Sequence, residues 1–209
     1  MASSHPAAPT LRQRKRQRAR EEIYAAALDL LAERPYEEIT IDEICARAEV
    51  GRASFYRIYG AKAGLLLEFN HRLARDAREA MPAHESATAV ERLRAVQRTL
   101  VAHWTATGPA LREMLRAFLT EAGPALFSAA TEAPPHPELL SLVARIVERG
   151  QRTGELDARL EPSFVSWLVV TGMATATGQW ITGGERADLE RATGDVLEVL
   201  LAGLVRPVP

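Results

Sequence analysis

Between Thr40 and Gly60 the chain reads TIDEICARAEVGRASFYRIYG, and no other stretch so narrows what it can fold into. Thr40 with Glu43 three residues on has the pattern of a capping box, in which hydroxyl and carboxylate satisfy free backbone donors reciprocally. Behind it Ile41, Ile44, Cys45 and Ala48 recur at helical spacing as one inner face, so a short helix starts there. Glu49, Val50 and Gly51 leave a turn of about three residues, and glycine suits both a tight turn and an N-cap. A second short helix follows over residues 52–59, and Gly60 breaks it. Two short helices on such a turn match the helix-turn-helix, whose second helix lies in the major groove of DNA.

The side chains of the second helix strengthen this reading. Phe55 and Ile58 fall three apart and can face inward with Val50, which leaves Arg52, Ser54, Tyr56 and Arg57 to project outward or sideways. Arginine chelates O6 and N7 of guanine, serine contacts either kind of base, and tyrosine hydroxyls hold phosphates. Ala53 offers a small surface for close approach or for a thymine methyl. Lys62, at the start of the next helix, can grip a further phosphate. Against this stands a plainer possibility, in which Tyr56 and Tyr59 merely pack on the first helix of the pair.

The remaining chain reads as helical throughout, with no strand alternation and no internal repeat. Apolar periodicity predicts helices over 11–33, 62–81, 87–105, 110–122, 138–152, 162–182 and 186–204, separated by turn and breaker residues such as EAPPHPE and TGGERA. That gives an all-α fold of about nine helices. No apolar run reaches the roughly 18 residues of a membrane span, and the first ten residues lack a secretory apolar stretch, so no membrane partner and a cytoplasmic location are expected. Cys45 is the single cysteine, which excludes an internal disulfide and a cysteine-based metal cluster. The net charge of −1 hides an asymmetry: six basic and no acidic residues up to Arg20 leave −7 on the rest. A basic end on an acidic body points to a polyanionic partner at one end, and Arg12 to Arg20 can follow phosphates or remain a solvated tail.

From about residue 18 to residue 73 the chain resembles the N-terminal DNA-binding domain of the TetR family of transcriptional regulators. AALDLLAERPYEEITIDEICARAEVGRASFYRIYGAKAGLL is similar to that family's Ala/Leu-rich first helix, its T-I-x-x-I-A-x-x-A-G-V-S half and its x-G-T-F-Y-x-H-F-x-x-K-x-x-L half. The resemblance implies that Thr40, Tyr56 and Lys62 hold the DNA backbone, that Arg52, Ala53, Ser54 and Arg57 lie nearest the bases, and that Phe55 is core; Tyr59 completes the candidate DNA-binding set. Glu49 departs from the usual turn glycine, Gly51 from the usual capping serine or asparagine, and Ile58 from a histidine that often reaches a phosphate.

Composition and charge mark a flexible basic arm over 1–17, and the resemblance further implies a three-helix DNA-binding domain over 18–66 and a helical bundle over 67–209 for ligand binding and dimerisation. Phe164, Leu168, Val196, Leu200 and Leu204 on the last two helices are the candidate homodimer interface. Phe69, His103, Trp104, Met114, Phe118 and Trp167 are the candidate lining for a small hydrophobic or aromatic effector. The expected function is a repressor released from operator DNA by that effector, with an activator of the same fold as the alternative. No cofactor, metal site or catalytic residue is expected. A helical-bundle enzyme using His103 with Glu113 or Glu121 is disfavoured, because H-E-x-x-H, P-loop and G-x-S-x-G patterns are missing.

Overall fold

The computed structural model describes residues 10–62, 64–106, 112, 115–116, 136–183 and 188–205. Among these it is all-helical, with eight α-helices, one 3-10 turn and a single isolated bridge between Leu156 and Val205. The chain divides into two units, Met1–Leu65 and Leu66–Pro209.

In the first unit, α1 (Leu11–Glu33) opens with a capping box: Thr10 Oγ1 accepts from the Gln13 amide at 3.3 Å, and Gln13 Oε1 accepts from the Thr10 amide at 2.7 Å. Residues 11–17 are therefore helical, as the periodicity over 11–33 predicts and in place of the flexible arm expected over 1–17. The cap, a run of good helix formers and the Gln17–Glu21 and Arg18–Glu22 contacts one turn apart account for this. Ile23, Ala26, Ala27, Leu30 and Leu31 form the buried stripe of α1, and Pro35 ends it. A 3-10 turn (Tyr36–Glu38) leads to α2 (Ile41–Arg47) and α3 (Arg52–Tyr59), which pack with α1 around Phe55, Ile44 and Ile23, each at most 1% exposed. Cys45 lies in this core, and burial pushes its thiol pKa up.

Gly60, at φ 72°, ends α3 in a backbone conformation that L side chains rarely adopt. Gly64 then passes so close to the Tyr59 carbonyl that a Cβ would sit 2.0 Å from its oxygen. Helix α4 is Gly64–Glu79, beginning two residues after the start expected at Lys62.

The second unit holds the rest of α4 with α5 (Ala89–Ala106), α6 (Pro137–Arg152), α7 (Pro162–Thr182) and α8 (Leu189–Leu204). Here α7 packs against both α6 and α8, and α5 against α6 and α8. Gly172 lets α7 approach α8, since a Cβ there would lie 2.8 Å from Val196. The Glu155 carboxylate accepts from the free amides of Ala89 and Val90 at 2.7 and 3.1 Å, tying the start of α5 to the loop after α6. The helix expected over 110–122 lies outside the described residues, apart from 112 and 115–116.

Candidate nucleic-acid interface

The first helix of the pair is fixed as the sequence predicts. Thr40 Oγ1 accepts from the Glu43 amide at 3.2 Å, and a Glu43 oxygen accepts from the Thr40 amide and hydroxyl, both at 2.8 Å. Arg34 adds a 2.9 Å contact to the other Glu43 oxygen. The Thr40 amide and hydroxyl, then Arg34, hold the Glu43 carboxyl far below the usual range, at about 2. The Thr40 hydroxyl is thus already engaged in capping. In the turn Glu49 adopts φ 52°, the left-handed conformation in which glycine is favoured.

Helix α3 presents two distinct faces. Phe55 is fully buried and stacks at a tilt on Tyr59, with ring centroids 5.5 Å apart. Arg52, Ala53, Tyr56 and Arg57 are exposed, while Ser54 and Ile58 are half-buried. Arg57 donates to Ser54 Oγ at 3.1 Å. Tyr56 stands edge-on to Phe55 at 5.9 Å and is 44% exposed. Arg52 meets the Asp42 carboxylate at two points: Nε lies 3.0 Å from one oxygen and Nη1 3.2 Å from the other. A Tyr56 hydrogen bond and the Asp42 charge together raise the guanidinium pKa.

Two expected contact residues are placed differently. Tyr59 is 9% exposed and its hydroxyl donates to the Arg20 carbonyl at 2.7 Å, so it ties α3 to α1 instead of facing outward. Four residues beyond Phe55 it shares that residue's inner face, and this helical phase outweighs the motif resemblance. Lys62 is half-buried; its ammonium donates to the Tyr36 carbonyl and sits 3.8 Å from the Tyr36 ring centroid, bracing the 3-10 turn.

A cationic cleft goes beyond the sequence expectations. Arg12, Lys15, Arg16 and Ala19 of α1 face Ser54, Arg57 and Ile58 of α3 across about 860 Å³, with no acidic residue among the described lining. The 12, 15, 16, 19 spacing, one stripe of a helix, is the signal in the sequence that corresponds to it.

In the second unit, Phe69 is fully buried with its ring centroid 4.4 Å from Trp104 and 4.7 Å from His103. His103 Nδ1 lies 3.3 Å from Asp76, but burial outweighs that carboxylate and lowers the imidazole pKa. His103, Asp76, Arg98 and Thr99 border a surface recess of about 530 Å³. Met114 and Phe118 lie outside the described residues. Trp167, expected in an effector lining, is 48% exposed. Three residues after Phe164, itself 49% exposed, it joins that residue's outward stripe. Leu168, Val196 and Leu200 are half-buried, and Val199, absent from the expected interface, is 74% exposed. Leu204, expected in the same interface, is only 6% exposed and belongs to the chain's own core.

No helix among the described residues is long and apolar enough to cross a membrane. Residues 23–69 match the model of the bacterial regulatory proteins of the tetR family. A 61-residue stretch, 27% of this chain and 31% of the relative, is 38% identical to the uncharacterized HTH-type transcriptional regulator YdeS of Bacillus subtilis strain 168. The chain thus matches less than a third of this curated relative's length. Among solved structures, the Thermus thermophilus TetR-family repressor FadR, in complex with lauroyl-CoA, is 28% identical with a TM-score of 0.67, over 91% of this chain and 97% of that one. The R. erythropolis TetR-family repressor QsdR is 25% identical with a TM-score of 0.60, over 92% and 98%. A capped helix pair with an arginine-bearing second helix, matching the tetR-family model over residues 23–69, is thus set in an all-helical chain that shares the fold of these regulators.

Proposed function

We propose that the protein is a homodimeric repressor that reads operator DNA with α3 and leaves it when a hydrophobic effector binds the second unit. The observation that carries the reading is the face of α3: Arg52, Ala53, Tyr56 and Arg57 stand exposed on a helix anchored by Phe55. Arg52 and Ala53 occupy its first turn, the part of a recognition helix that meets base edges. Arg57 and Ser54 lie further along, and Tyr56 is placed for a phosphate. The cationic cleft between α1 and α3 takes the adjoining sugar-phosphate strand, so the arginines of α1 act as a rigid helical extension of the reading surface.

The second copy covers the apolar stripes of α7 and α8. Phe164, Trp167 and Val199 form an exposed apolar surface that a second copy would cover, as the family resemblance implies for the last two helices. Two copies present two α3 helices to successive major grooves. The effector is an acyl-CoA thioester or a compound of similar apolar character, supported by the lauroyl-CoA complex of the Thermus thermophilus relative and by the buried Phe69–Trp104 pair beside His103. Its binding shifts a population between DNA-competent and incompetent states, to an extent set by its differential affinity for the two.

A gel shift with DNA from upstream of the protein's own gene, repeated with acyl-CoAs of graded chain length and a panel of aromatic compounds, tests this directly. The expected result is a retarded band that one class abolishes. Retardation that no compound alters would remove the effector from the account and leave the DNA reading in place.

A further inference from the structure

The acidic partner of Arg52 is the least expected feature of the exposed face. Asp42 lies in the first turn of α2, ten residues before Arg52, and its two carboxylate oxygens engage two nitrogens of one guanidinium at 3.0 and 3.2 Å. Both side chains are more than 60% exposed, so the pair adds little to folding stability. A carboxylate at a surface that meets DNA also repels phosphate. Beyond its favourable place in the first turn of α2, what it does to the arginine gives it a use. An arginine side chain free in water samples many rotamers, and its reading of a base requires one of them. The contact, one hydrogen bond from Nη1 with Nε beside the second oxygen, narrows that choice.

We propose that Asp42 is a specificity-determining positioning residue, which restrains the Arg52 guanidinium through Nη1 so that its remaining terminal donors meet O6 and N7 of a guanine. The inference rests on the DNA reading above. Both partners sit on well-anchored backbone: α2 by the Thr40–Glu43 box and α3 by Phe55. Arg57 donates to Ser54 on its own helix, a neighbour that moves with it and fixes its direction less firmly. Of the two arginines on this face, Arg52 is thus the one built to discriminate.

The test separates positioning from bulk charge because the two act with opposite sign. A randomised duplex pool is selected with the wild-type chain, and the base pair whose preference disappears in Arg52→Ala is identified. Asp42→Ala, Asp42→Asn, Arg52→Ala and the Asp42→Ala/Arg52→Ala double variant are then titrated against the selected duplex and against one altered at that pair, with helicity checked by circular dichroism. Positioning predicts that Asp42→Ala loses on the order of tenfold in affinity for the selected duplex and narrows discrimination at that one pair. Asp42→Asn should fall between, and the effect should vanish in the Arg52→Ala background. If Asp42→Ala binds every duplex as tightly or more tightly with its preference intact, Asp42 is only a local negative charge and the inference is overturned. A wild-type chain that enriches no sequence overturns the DNA reading, and this inference with it.

Discussion

Glu49 and Glu43 show how closely single residues are used around the turn. Glu49 holds a left-handed backbone conformation that costs an L residue about 1–2 kcal/mol, and the chain tolerates this because both flanking helices are anchored. Glu43 carries the opposite contribution. Its folded pKa of about 2 lies below the ordinary 4.5, so the stabilisation it supplies is complete above pH 4.5 and is lost as the pH falls through 2. Thermal melts of the wild type and of Glu43→Ala should therefore differ at neutral pH and converge between those two values. A gap that persists at pH 2 would assign the effect to something other than the carboxylate. The cap is legible in the sequence because Thr and Glu three apart is a local code. The role of the Tyr59 hydroxyl is not, because its partner is a backbone carbonyl 39 residues away, at Arg20.

At the scale of the element, α1 keeps the bounds that its periodicity predicts and is helical from Leu11, inside the segment expected to be a flexible arm. Its basic residues resemble a flexible tail because the charge run is conspicuous and the apolar stripe begins only at Ile23. The Thr10–Gln13 box, which starts the helix more than two turns earlier, is a quieter signal than that charge. Once helical, Arg12, Lys15 and Arg16 acquire a common face toward α3. Replacing all three with alanine should leave the fold intact and lower the slope of log K against log salt by about 0.9 for each phosphate no longer neutralised. The base preference set by α3 should survive. An unchanged slope would return these residues to the role of a solvated surface. Helices over 11–33, 52–59 and 162–182 have the bounds that the sequence predicts, since strong stripes and proline or glycine stops define them. The start of α4 differs by two residues, at a close approach of Gly64 to the Tyr59 carbonyl that no periodicity reveals.

For the whole molecule, the all-helical class and the two-part organisation follow from periodicity and from the motif resemblance. The fate of individual aromatics requires coordinates. Residue type alone suggests Trp167 for an effector lining, whereas its helical phase with Phe164 places it on the outward stripe, and Leu204 goes the other way, into the core. Charge introduced on that stripe, as Phe164→Glu with Trp167→Glu, should give a folded monomer by light scattering and reduce DNA affinity by orders of magnitude, because paired half-sites can no longer be held together. A variant that stays dimeric would place the interface elsewhere. The central claim, that α3 is presented to read a duplex, meets its most direct test in selection from a randomised pool at low ionic strength. The account predicts an enriched inverted repeat whose half-sites lie one helical turn, or a multiple of it, apart, and disappearance of that enrichment in Arg52→Ala/Arg57→Ala. A pool that returns unenriched from the wild type, or enriches equally with the double variant, would contradict it.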